Sequence, residues 1–167
     1  LVTGAGRGIG RAAAVALADA GAHVFAAART KSEIKILVDA ISDQDDHATA
    51  LPLDVMDLEA VREAVKNYGP FQILVNNAGT NRPALLGDIK EKDYDDVTDL
   101  NVRSVIFLTQ AVAKGLQVAG LPGSIINISS QMGHVGGPKR TVYCATKHAL
   151  EGATKALAWE LGPHGIR

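Results

Sequence analysis

The sequence predicts an α/β domain, a doubly wound parallel sheet with strand order 3-2-1-4-5, and three observations carry that prediction. Short apolar runs alternate with stretches of helical periodicity along the whole chain. A glycine-rich turn, Gly4-Ala5-Gly6-Arg7-Gly8-Ile9-Gly10, separates the first apolar run from the first helical one. Pro52 falls in the third run and cannot donate to a ladder, so that strand belongs at an edge, where this winding puts it.

Leu1-Val2-Thr3 reads as the end of the first strand. Ile9, Ala13, Ala16, Leu17 and Ala20 then recur at helical spacing, and Gly21 stops that helix. Residues 23–28 suit a buried second strand, followed by a helix over 32–41. The third strand is expected over 51–55, and Asp57 caps a helix reaching Tyr68. Gly69-Pro70 breaks that helix before a fourth strand over 72–75. One long helix is expected from Asp93 to Val118, a fifth strand over 124–128, a glycine-containing loop over 133–138 and a helix over 141–161. Ile166 looks like the start of a further strand, so the chain reads as a single domain over 1–167, truncated at both ends.

The 167 residues suit one core, and 47% hydrophobic with 21% charged residues excludes a disordered, collagen-like or disulfide-built chain. Seventeen Lys plus Arg against eighteen Asp plus Glu leave a net charge of -1, which argues against a nucleic-acid partner. No apolar run reaches the roughly 18 residues of a membrane span, so no membrane partner is expected. One cysteine, Cys144, cannot form an intrachain disulfide, which favours a reducing compartment; a cytoplasmic protein is expected. Cys144 and His148 share a helical face without completing a metal site, and no metal is expected.

Glycines at 4, 8 and 10 let the backbone approach a pyrophosphate, while amides and dipole at the following helix start favour its charge. The strict G-x-G-x-x-G spacing is absent because position 9 is Ile; a glycine-rich connection with no ligand is the plainer reading. At the end of the second strand, where an acidic residue would bind the ribose of NAD, the chain reads Ala28-Arg29. Arg29 offers a fork of donors to a 2'-phosphate and Arg7 a second positive charge, so NADP(H) is preferred over NAD(H), with solvated surface arginines as the alternative. Tyr143 and Lys147 lie four residues apart, about 6 Å along one helix face. An ammonium there would lower a phenol that ordinarily titrates near about 10.

Gly4-x-x-x-Gly8-x-Gly10, Asn76-Asn77-Ala78-Gly79, Leu100-Asn101-Val102 and Tyr143-x-x-x-Lys147 together resemble the short-chain dehydrogenase/reductases over essentially the whole chain. The resemblance implies a Rossmann fold and a carbonyl or secondary-alcohol substrate exchanging a hydride with the cofactor. It assigns catalysis to Asn101, Ser130, Tyr143 and Lys147, since Ser130 stands thirteen residues before Tyr143, the family's spacing, and Ser129 does not. It assigns the cofactor to Gly4, Arg7, Gly8, Ile9, Gly10, Arg29, Asp54, Asn77, Ala78, Gly79, Tyr143 and Lys147. For Asp54 a helix cap is the alternative, and Asn76 is scaffold. Ser130, Gln131 and His134 are the expected substrate contacts, and a homodimer or homotetramer is implied. The strings S-S-Q, V-Y-C-A-T-K and L-G-P-H resemble sugar and polyol reductases. Reductases of 3-oxoacyl carrier proteins share the catalytic set and remain an alternative. A non-catalytic dinucleotide-binding redox sensor is the alternative of another class, and it would not need all four catalytic residues.

Overall fold

β1 (Val2–Thr3) lies in the middle of a five-stranded parallel sheet, flanked by β2 (Val24–Ala28) and β4 (Ile73–Asn76). β3 (Ala48–Pro52) and β5 (Ser124–Asn127) complete the order β3-β2-β1-β4-β5, as the sequence predicts. This computed structural model describes residues 1–42 and 47–167. Crossovers run one way through α1 (Gly8–Asp19) and α2 (Lys31–Ser42), then reverse through α3 (Leu58–Tyr68). The reversal leaves a crevice between the carboxyl ends of β1 and β4. α4 (Glu91–Thr98), α5 (Ser104–Ala119) and α6 (Thr141–Leu161) follow.

Successive strand residues point to opposite faces, and each face has its own core. Val2, Ala26 and Val75 pack with Ala14, Ala18, Ile34 and Leu37 on one side. Leu1, Ala27 and Leu74 pack with Val61, Leu108, Val112 and Leu116 on the other. Each fully buried leucine or isoleucine contributes about 1.5–3 kcal/mol, and helices on both faces shelter strands that are apolar on both sides.

Three expectations need correction. β3 begins three residues earlier than the apolar run suggests, because it pairs in register from Val24 opposite Ala48 to Ala28 opposite Pro52. Leu53 still donates from its amide to Ala28 O at 3.1 Å, and Leu53 and Val55 stay buried just past the carboxyl end of the strand. The buried face of α1 is Gly10, Ala14 and Ala18, while Ile9 is 65% exposed. Close packing on β1 selects the smallest residues there, not the largest. The single long helix is two, α4 and α5, joined by a π-helical turn at Asp99–Arg103 that carries Asn101. Ile166 does begin a further pairing, bridging Gly123 in parallel.

Candidate active site

A cleft of about 410 Å3 opens at the reversal point, walled by the glycine turn, the ends of β2 and β4 and the segment after β3. Gly4, Arg7, Ile9, Arg29, Asp54, Asn77, Ala78 and Gly79 all line it. Gly8 and Gly10 shape the turn behind them. Gly4 and Gly8 have φ of +62° and +56°, and a Cβ on Gly4 would stand 2.8 Å from Asn77 Nδ2. A Cβ on Gly10 would collide with Gly4 O and Asn77 Nδ2. No side chain caps α1, so its first amides face the cleft with the positive end of the helix dipole. That donor set fits an anionic group such as a pyrophosphate.

Arg7 and Arg29 are both exposed at the cleft's outer end, and no carboxylate follows Ala28. Glu33, from the first turn of α2, lies against Gly6 on the same wall, a neighbour the sequence reading did not anticipate. Asp54 Oδ1 accepts from the Met56 amide at 3.0 Å, whereas the cap of α3 is Asp57, accepting from Glu59 and Ala60. The cap alternative for Asp54 therefore fails.

Thr3 holds the two sides of the cleft together. Its hydroxyl donates to Val75 O at 3.2 Å and accepts from the amides of Asn77 and Ala78 at 2.9 and 3.0 Å. Asn77 Nδ2 returns to Thr3 O at 2.9 Å. Asn76 points the other way, donating from buried Nδ2 to Thr109 Oγ1 and to Asn127 Oδ1. It is scaffold, tying β4 to β5 and α5. Thr3 was missed; the signal was a hydroxyl at a buried strand end facing Gly4.

At the inner end of the cleft stands Gly79, where a Cβ would lie 3.2 Å from Asn101 Oδ1. The Asn101 side chain is 1% exposed: it accepts from Thr80 N at 2.8 Å and donates to Thr80 O at 2.9 Å and Thr146 Oγ1 at 3.1 Å. The π turn thus connects the cleft to α6 beside Lys147. Lys147 is buried, and its Nζ donates to Ile128 O at 2.7 Å and lies 5.7 Å from the centroid of the Tyr143 ring. Burial lowers the Lys147 pKa below the ordinary lysine value.

Ser130 leaves β5 in extended geometry and its Oγ accepts from Met132 N at 3.1 Å, which keeps the hydroxyl hydrogen free to donate. Gln131 opens the 3-10 turn Gln131–Gly133, with His134 just beyond it. Ser130, Gln131, His134, Tyr143 and Lys147 do not line the cleft itself; they stand around the amino end of α6, joined to it through Asn101 and Thr146. Among the described residues, no group of three or more His, Cys, Asp or Glu is placed to hold a metal ion. None of the described helices is long and apolar enough to cross a membrane.

A reversal-point cleft with a glycine-rich helix start defines a dinucleotide-binding α/β domain. The short chain dehydrogenase family model matches residues 1–167, and the chain belongs to that family of oxidoreductases. L-xylulose reductase from Mus musculus is 42% identical over the whole chain, which covers 67% of that protein. A 3-oxoacyl-acyl-carrier-protein reductase from Staphylococcus aureus is 39% identical, with 99% of the chain matched to 69% of the relative. The crystal structure of a gluconate 5-dehydrogenase from Burkholderia cenocepacia with NADP and tartrate superposes with a TM-score of 0.91 at 34% identity. That match covers 99% of this chain and 66% of the other. The chain spans about two thirds of the length of these relatives.

Proposed function

We propose that this domain binds NADP(H) in the cleft and, in the full-length protein, interconverts the carbonyl and secondary alcohol of a small hydroxylated substrate such as a ketose or polyol. The observation that carries this is the buried Lys147 amine beside the Tyr143 ring, coupled to the inner end of the cleft through Asn101 and Thr146. The first amides of α1 would hold the pyrophosphate, Arg29 and Arg7 the 2'-phosphate, and Asp54 the adenine. Asn77, Ala78 and Gly79 would wall the nicotinamide end. When bound, the nicotinamide supplies or accepts the hydride. Tyr143 gives its proton to the carbonyl oxygen in reduction and takes it from the alcohol in oxidation. Lys147, its amine beside the Tyr143 ring and its pKa lowered by burial, passes a proton onward through a water supported by Asn101. Ser130 donates its free hydroxyl hydrogen to the same oxygen, where negative charge develops.

Gln131 and His134, exposed polar neighbours of Ser130, suit a substrate rich in hydroxyls better than an acyl chain. Relatives named for L-xylulose and gluconate support the same preference. The 3-oxoacyl thioester is the competing substrate. We place the protein in the cytoplasm as a homodimer or homotetramer.

Nicotinamide fluorescence titrations of NADPH and NADH, on the wild type and on Arg29→Asp, test the cofactor site. NADPH should bind at least about tenfold more tightly, the worth of one charge-assisted pair, and Arg29→Asp should erase that margin. Equal affinities in the wild type would overturn the preference. Turnover on ketoses against acetoacetyl thioesters then separates the two substrate readings.

A further inference from the structure

α6 clasps the end of β5 at successive positions. Thr154 Oγ1 accepts from Asn127 Nδ2 at 2.9 Å, and Lys147 donates to Ile128 O. Between them on α6 stands Glu151, one turn past Lys147 and two past Tyr143 on the same face. It faces the next residue along, Ser129, and the turn that follows Ser130. Glu151 Oε1 lies 3.5 Å from His134 Nε2. Buried Gly133 packs directly against α6 beside this pair: a Cβ there would stand 2.8 Å from Ser129 Oγ, 3.1 Å from Glu151 Cγ and 3.1 Å from Lys147 O. The 3-10 turn therefore lies flush on α6, at a spacing that only glycine permits.

Ser129 adds a second observation. Its hydroxyl is buried and meets no partner at full hydrogen-bond geometry, an arrangement that is costly unless something compensates it. Gly133, in contact with both Ser129 Oγ and Glu151 Cγ, brings the Glu151 side chain to the neighbourhood of that hydroxyl. The Ser129 hydroxyl is the largest influence holding the Glu151 pKa below the ordinary carboxylate value; desolvation opposes it, and His134 on the turn with Lys155 and His148 on α6 add to it. Glu151 is therefore ionised at neutral pH, with positive or potentially positive groups on both elements that meet there.

We propose that Glu151 is a positioning residue: through Ser129 and His134 its carboxylate latches the 130–135 turn onto α6 and so sets where the Ser130 hydroxyl stands relative to Tyr143. The catalytic part of this rests on the roles given above to Ser130 and Tyr143. The latch itself rests on the packing alone. Loss of the latch leaves the cleft intact, so its signature is a kcat effect without a cofactor effect. A serine displaced by a fraction of an ångström loses much of its hold on the transition state.

The test uses the full-length protein with Glu151→Ala, Glu151→Gln and His134→Ala. Hydrogen exchange reads the amides of Gly133, His134 and Val135, which bond within the turn to Ser130 O and Gln131 O. Glu151→Ala should speed their exchange about tenfold, leave the amides near Leu161 unchanged, lower kcat for ketone reduction about tenfold and leave NADPH affinity within about twofold. Glu151→Gln, which keeps an acceptor for Ser129, should recover part of kcat, and His134→Ala should show the other part of the loss. Unchanged exchange in Glu151→Ala overturns the latch whatever the activity. Faster exchange with unchanged kcat overturns the positioning role. A wild type that reduces no carbonyl overturns the catalytic reading beneath it, and exchange then decides the latch separately.

Discussion

Lys147 Nζ donates to the Ile128 carbonyl at 2.7 Å, which fastens the amine of α6 to the chain two residues before Ser130. One bond thereby links the helix carrying Tyr143 to the strand end carrying Ser130. Elements from opposite ends of the site cannot drift apart without breaking it.

The amine is held at a measurable cost. Burial lowers the Lys147 pKa, so the unfolded chain binds that proton more tightly than the folded one. The penalty is full below the lowered folded value and disappears as pH rises to the ordinary 10.5. Lys147→Met removes the titration. The stability of the wild type relative to this variant should rise as pH climbs toward 10.5, read by urea denaturation at each pH. A flat or falling difference contradicts the assignment.

Thr3→Val keeps the shape of the side chain and strips the acceptor from two amides, Asn77 N and Ala78 N. It should cost about 3 kcal/mol, while Thr3→Ser, which retains the hydroxyl, should cost under about 1 kcal/mol. Urea midpoints of the two variants decide it; equal midpoints would mean that the amides find other partners.

Two glycine-to-alanine changes should have opposite signs. At Gly10 a Cβ runs into the Gly4 carbonyl and the Asn77 amide, so Gly10→Ala should lower stability by about 2 kcal/mol or more and weaken NADPH binding. At Gly152, within α6, a Cβ meets nothing within 4 Å. Gly152→Ala should stabilise by about 0.5–1 kcal/mol, the helix propensity of alanine over glycine. Thermal melts of both variants provide the check.

The strand order was legible because a glycine turn after the first strand and a proline in the third leave little topological freedom. The start of β3 was not, because Ala48, Thr49 and Ala50 carry too little apolar bulk to announce a strand; pairing with β2 places them. The face of α1 was misread for a related reason: contact with β1 rewards small size, and size is invisible to an apolar count. The π turn at Asn101 leaves no mark in the periodicity, since apolar residues continue through it. The motif residues lining the cleft were readable from spacing. Thr3 and Glu151 were not, because each is a single polar residue. The partners of Thr3 lie 72 to 75 positions away, and those of Glu151 lie across the interface between α6 and the 129–134 stretch.

The most direct test of the account is Tyr143→Phe in the full-length protein, assayed for NADPH-dependent ketone reduction and, in parallel, for NADPH binding. The account predicts turnover reduced by about a hundredfold or more with cofactor affinity within about twofold, because only the transferable proton is removed. Turnover within about tenfold of the wild type would contradict the role of Tyr143 as the proton donor.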